Sequence, residues 1–188
     1  MRVTGTTALA VLTIVAALGW PAGAEAQQLR GAQATSRRLI ADGLARSAII
    51  RGLAQRIERS DIVVYVDTRR DMPSHVVGSM RFVARTATHR VVRISLNQDY
   101  SWPTRLAYLG HELQHACELA AVAHVDSAAR MRAYYRQFGV RVDRDAYDTR
   151  EAQAITRRVQ AELRGKTSET EHIAMIRAGA FEAPGPRD

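Results

Sequence analysis

One stretch, from Pro103 to about Val125, constrains the fold more than any other. Its apolar residues Leu106, Leu109, Leu113, Cys117 and Ala120 recur at intervals of three and four, which places them on one face of an α-helix. Pro103 suits the first turn, where its missing N–H would have had no partner. A helix of this length with one apolar stripe has to bury that stripe, so the chain is expected to build a core against it. The composition agrees, since 46% of the 188 residues are hydrophobic and 24% charged, the balance of an ordinary single domain.

Sheet material lies upstream. Ser36 to Arg59 carries Leu39, Ile40, Leu44, Ile49, Ile50, Leu53 and Ile57 at helical spacing and predicts one helix or two, with Gly43 and Gly52 as weak points. Ile62-Val63-Val64-Tyr65-Val66 is too short for a helix and has the β-branched character of a buried strand. After a loop from Arg69 to Ser79, two more strands are expected, Met80 to Arg85 and Arg90 to Leu96, joined as a hairpin. The second alternates, with Val92, Ile94 and Leu96 on one face. Downstream of the long helix, a further helix is expected from Asp126 to Phe138, stopped by Gly139. An irregular acidic patch from Val140 to Asp145 and a helix from Asp148 to Leu163 complete the pattern. The expected fold is α+β, with a small sheet of about three strands packed on the long helix and C-terminal helices around it.

The first residues carry a different message. A basic start at Arg2, an apolar stretch from Ala8 to Leu18 and small residues at Ala22-Gly23-Ala24 or Ala24-Glu25-Ala26 read as a secretory signal peptide over residues 1–24. A membrane anchor would need roughly 20 apolar residues, and this stretch is shorter and ends at Gly19-Trp20-Pro21. The mature protein is therefore expected in the periplasm or outside the cell, with one domain over residues 25–165 and a loosely held tail over 166–188. No second apolar stretch of spanning length follows.

Lys plus Arg is 27 against 19 for Asp plus Glu, a net charge of +8, and Lys166 is the only lysine. Such an excess can attract nucleic acid, anionic lipid or acidic substrates. The arginines are scattered among acids without a run of like charge, so no specific nucleic-acid partner is expected. A single cysteine, Cys117, excludes an intramolecular disulfide, a cysteine-rich zinc finger and a CxxC redox site. Any metal has to be held by His and carboxylates.

The long helix contains His111-Glu112-Leu113-Gln114-His115, an HExxH sequence. Residues four apart lie one turn above each other, so two imidazoles can point at one ion. His111 and His115 are the expected zinc ligands. Glu112 projects beside the ion, where its carboxylate can act as general base on water that zinc has acidified. Chance placement of this pattern in such a chain is on the order of one in a hundred, and the histidines lie off the leucine stripe. The plain alternative is a pair of solvated histidines on a helix surface.

With this motif following a small sheet, the chain resembles the zincin metallopeptidases over about Asp61 to Leu163. The order from Ile62 through Tyr147-Asp148-Thr149 also resembles a group of small exported bacterial proteins without an assigned activity. The resemblance implies a third protein ligand. The metzincin pattern is excluded, because Glu118 and Ala121 stand where it needs Gly and His. The gluzincin pattern takes an acid from a later helix, for which Asp148 and Glu151 compete. Asp148 matches the position where the exported group carries a Glu, whereas Ala154 one turn past Glu151 would allow close helix packing. Asp148 and Glu151 also have the spacing of a helix capping box, which needs no metal. Glu118, one turn past His115, could orient that imidazole. Tyr134, Tyr135 and Tyr147 are candidate oxyanion donors, and Cys117 reads as a small buried residue.

The expected function is an exported zinc-dependent hydrolase, in the first place a peptidase acting on a peptide or protein substrate. The strand Arg90 to Leu96 is expected at the sheet edge, where an extended peptide could add to it. The rival reading is a non-catalytic binding module on the same scaffold, with an arginine-rich surface for anionic envelope components and a salt-sensitive affinity. The intact Glu112 separates the two, since a purely structural site has no need of it.

Overall fold

The computed structural model describes residues 28–143 and 147–177, the side chains only as far as residue 165. The expected signal peptide and the end of the expected tail, residues 178–188, lie outside the described residues. Those described form an α+β fold of five helices and a small mixed sheet.

The chain enters through β1 (Leu29–Gly31) and two helices, α1 (Ala34–Arg46) and α2 (Ala48–Glu58). The break between the helices falls at Ser47, whose backbone is extended and whose hydroxyl caps α2 by accepting from Ile50 N–H at 3.1 Å. Gly43 does not interrupt α1. A Cβ there would lie 3.2 Å from Ile50, so its role is to let α2 fold back closely on α1.

The sheet contains β2 (Ile62–Arg69), β3 (Gly78–Arg85) and β4 (Arg90–Asn97) with β1, in the order β1-β2-β4-β3. Two features correct the sequence reading. Four strands are present rather than about three, because β1 pairs in parallel with β2 from Leu29 opposite Val64. The strand Arg90 to Leu96 is also not at the edge: β4 pairs in parallel with β2 and antiparallel with β3, leaving β3 outermost. Burial explains the arrangement. Val92, Ile94 and Leu96 of β4 are fully buried, whereas β3 exposes Ser79, Arg81 and Val83 to Arg85 and carries a bulge between Phe82 and Ala84, both features of edge strands.

One face of the sheet packs on α1 and on α3 (Trp102–Ala120), with Val64, Val66, Ile94 and Leu96 meeting Leu106, Leu109 and Leu113 in one core. Ser101 caps α3, accepting from Thr104 N–H at 3.3 Å. Beyond α3 the chain is tied down by Arg90, a buried guanidinium. It makes two 2.7 Å bonds to Asp61 and donates to the carbonyls of Val122 and Val125 at 2.8 and 3.0 Å.

The remaining elements are α4 (Ala128–Phe138), capped by Ser127 and ended by Gly139, a two-residue ladder of β5 (Val140–Arg141) with β6 (Tyr147–Asp148), and α5 (Arg150–Arg177). The helix expected to end near Leu163 thus continues through Arg177. The capping box expected from Asp148 and Glu151 is absent. Asp148 is still in the ladder, and Thr149 caps α5, its hydroxyl accepting from Ala152 N–H at 3.1 Å. Helix α5 packs on α3 where Gly110 precedes the first histidine; a Cβ there would stand 3.0 Å from Val159 and 3.3 Å from Ile155. Gly110, on α3, is a small residue that allows this close packing.

Candidate functional site

Helix α3 is buried on more than its leucine stripe. His111, Glu112 and His115 are 8%, 4% and 6% exposed, so the histidines are not a solvated surface pair. They face a cleft of about 660 Å³ between the start of β3, helix α4 and the β5–β6 ladder.

The hydrogen bonds assign the imidazole tautomers. Thr156 Oγ1 donates to the carbonyl of Ala152 at 3.1 Å, so it accepts from His111 Nδ1, 2.9 Å away. Glu118 Oε2 accepts from His115 Nδ1 at 2.9 Å, the orienting role its spacing suggested. With both Nδ1 atoms donating, the two Nε2 atoms each carry a lone pair while the ring is neutral and donate once it is protonated. They point at one carboxylate oxygen, Asp148 Oδ1, at 3.2 Å from His111 and 3.4 Å from His115. One ligand atom from each of the three residues lies within 4.8 Å of the others, so His111, His115 and Asp148 could hold a metal ion. Two lone pairs facing a carboxylate require a cation between them or an extra proton on a ring.

Asp148 is itself held in place. Its Oδ1 accepts from Thr149 N–H at 2.6 Å and its Oδ2 from Gln153 Nε2 at 3.0 Å. Burial would raise its pKa, but the two imidazoles and Gln153 hold the carboxyl far below the usual range. For His115 burial opposes the charged ring, yet the bonds to Asp148 and Glu118 and the charge of Glu112 push it up to about 10. Glu151 does not join the group. Once Thr149 caps α5, Glu151 falls in the exposed first turn, where its charge favours the helix N-terminus.

Glu112 sits under the edge strand. A Cβ at Gly78 would lie 2.8 Å from Glu112 Oε1 and 3.1 Å from Leu96 Cδ2, so only glycine lets β3 pass this close. Burial first, and then the charge of Asp148, raises the Glu112 pKa, while His115 and His111 oppose the rise. A carboxyl raised in this way holds a proton more readily, which suits it to taking and returning one.

The tyrosines divide by position. Tyr135 is buried at the cleft wall, packs edge-on against His115, and its hydroxyl donates to the His115 carbonyl at 3.1 Å, so it braces α3. Tyr134 packs on Tyr135 and Phe138. Tyr147 lines the cleft, and so does Tyr108, which the sequence reading missed. Tyr108 stacks on His111 at 5.3 Å; its place three residues earlier on the same helix was the available signal. Cys117 is buried, with its thiol 3.6 Å from the Leu53 carbonyl and its pKa pushed up to about 11 by burial, an inert packing residue.

No helix among the described residues is long and apolar enough to cross a membrane. No protein-family model, curated protein or solved structure matches the chain.

Proposed function

We propose that the protein is an exported zinc-dependent hydrolase of zincin type, a peptidase, with His111, His115 and Asp148 as metal ligands and Glu112 as general base. The observation that carries this reading is the convergence of two imidazole lone pairs and one carboxylate oxygen beside a buried second carboxylate. Imidazole nitrogen and carboxylate oxygen are donors that zinc accepts in four-coordinate sites, where three protein ligands leave one position for chemistry. Zinc, when bound, supplies a Lewis acid that acidifies water and polarises a carbonyl.

The chain's own groups do the rest. The free edge of β3 borders the cleft and offers unpaired backbone groups, so an extended peptide can lie along it as a further strand. Glu112, directly beneath Gly78, takes a proton from the water that attacks the peptide carbonyl. As the C–N bond breaks, the same carboxyl returns that proton to the leaving amine nitrogen. Tyr108 and Tyr147, which line the cleft, are the candidate phenols for the oxygen on which charge develops.

The test combines metal content with turnover. Full-length secreted protein should hold one zinc and cleave peptides from a mixed library read by mass spectrometry. Glu112→Gln should keep the zinc and lose cleavage by roughly 10²- to 10⁴-fold. Unchanged cleavage in that variant would end the mechanism.

A further inference from the structure

We infer that Thr149 is a positioning residue for the metal, tying the strand-to-helix junction that carries Asp148 to the helix that carries both histidines through the carboxylate of Glu118. This rests on the metal-site reading above and goes beyond it, since neither Thr149 nor Glu118 is a ligand.

Thr149 directly follows Asp148 and spends its hydroxyl twice. Its lone pair accepts from Ala152 N–H at 3.1 Å, which caps α5, and its one proton goes to Glu118 Oε1 at 2.8 Å. Glu118 is similarly shared. Oε1 also accepts from Gln114 Nε2 at 3.2 Å, while Oε2 accepts from His115 Nδ1 at 2.9 Å and lies 3.4 Å from the Tyr135 hydroxyl. One carboxylate on α3 therefore orients a ligand ring from its own helix and grips the residue next to the third ligand.

The metal geometry needs such a grip. Asp148 belongs to a ladder only two residues long; the other α3–α5 contacts around the site are the His111 Nδ1 to Thr156 Oγ1 bond at 2.9 Å, which orients a ring and does not reach Asp148, and the apolar packing of Val159 and Ile155 against Gly110. Apolar contacts are non-directional and do not set an oxygen atom to within a few tenths of an ångström. A directed hydrogen bond between Thr149 and Glu118 does, and partners of this kind commonly change metal affinity by about 10- to 100-fold when removed.

A cap alone would explain Thr149 without Glu118, and a double-mutant cycle in zinc affinity separates the two roles. Zinc dissociation constants are measured by chelator competition on the full chain for wild type, Asp148→Ala, Thr149→Ser, Thr149→Val, Glu118→Gln and the Thr149→Val/Glu118→Gln pair. Thr149→Ser should bind within about threefold of wild type, whereas Thr149→Val and Glu118→Gln should each weaken zinc by about 10- to 100-fold. The pair should be weaker than the worse single variant by less than about threefold, because both remove one bond. Single effects that multiply in the pair, or wild-type affinity in Thr149→Val, would overturn the inference while leaving the metal site intact. Undiminished zinc binding in Asp148→Ala would instead remove the ligand reading on which it rests. Should Thr149→Val fail to fold, Thr149→Gly serves in the same cycle, since glycine is tolerated at an N-cap.

Discussion

Two buried polar clusters flank helix α3, and they are built on opposite principles. Around Arg90, donors and acceptors match: one guanidinium meets both oxygens of Asp61 and two carbonyls beyond the end of α3. Around His111 and His115 the outer ring of bonds is also matched, through Thr156 and Glu118, but the inner atoms are two lone pairs and a carboxylate oxygen facing one another. The first cluster is closed and holds the fold. The second faces acceptors toward one another at a cleft, a balance that a ring proton or the proposed metal ion would restore. A buried polar group is thus diagnostic through its balance rather than its burial, and changes at the two clusters should separate stability from chemistry.

The largest expected contrast is in pH. The His115 pKa is raised from 6.5 to about 10, so in chelator-treated protein its stabilising effect is full below pH 6.5 and is lost as pH rises toward 10. Zinc requires the unprotonated ring, so apparent zinc affinity should climb across the same window, by up to about tenfold per pH unit. Competition titrations at a series of pH values check this, and a flat profile would deny that zinc and this proton share a site.

Next in size is Arg90→Met, which leaves the Val122 and Val125 carbonyls without their donor and Asp61 without its partner. A loss of about 3 kcal/mol in urea unfolding is expected, with one zinc still bound by the folded fraction. Equal loss of zinc affinity would merge the two clusters into one.

Gly78→Ala sharpens the contrast from the other side. Its methyl group meets Glu112 Oε1 and Leu96, so the Glu112 carboxyl or the edge strand must shift. Peptide cleavage should fall by roughly tenfold or more, while zinc stoichiometry stays the same. An unaltered rate would mean that Glu112 does not depend on the close approach of β3.

The sequence made parts of this legible for physical reasons. Helix α3 announced itself by its leucine spacing, HExxH by its one-turn separation, and Glu118 by standing one turn beyond His115. The strand at Ile62 was visible as a run with no polar face, and its burial within a parallel pairing accounts for that. The pairing itself was not visible. Local pattern does not state partners, so β4 was expected at the edge when the charged, bulged β3 occupies it, and β1 is too short to show any period. The choice between Asp148 and Glu151 was hidden for a similar reason. It turns on which residue caps α5, and Thr149 takes that place while its proton goes to Glu118 on another helix, a partner that local sequence does not state.

The most direct test is a comparison of zinc binding by the wild-type chain, Asp148→Ala and Glu151→Ala under one set of conditions. Wild type and Glu151→Ala should each take one zinc with equal affinity, and Asp148→Ala should bind at least about 100-fold more weakly. Equal binding by all three, or loss in Glu151→Ala alone, would contradict the assignment of the cation to the two histidines and Asp148.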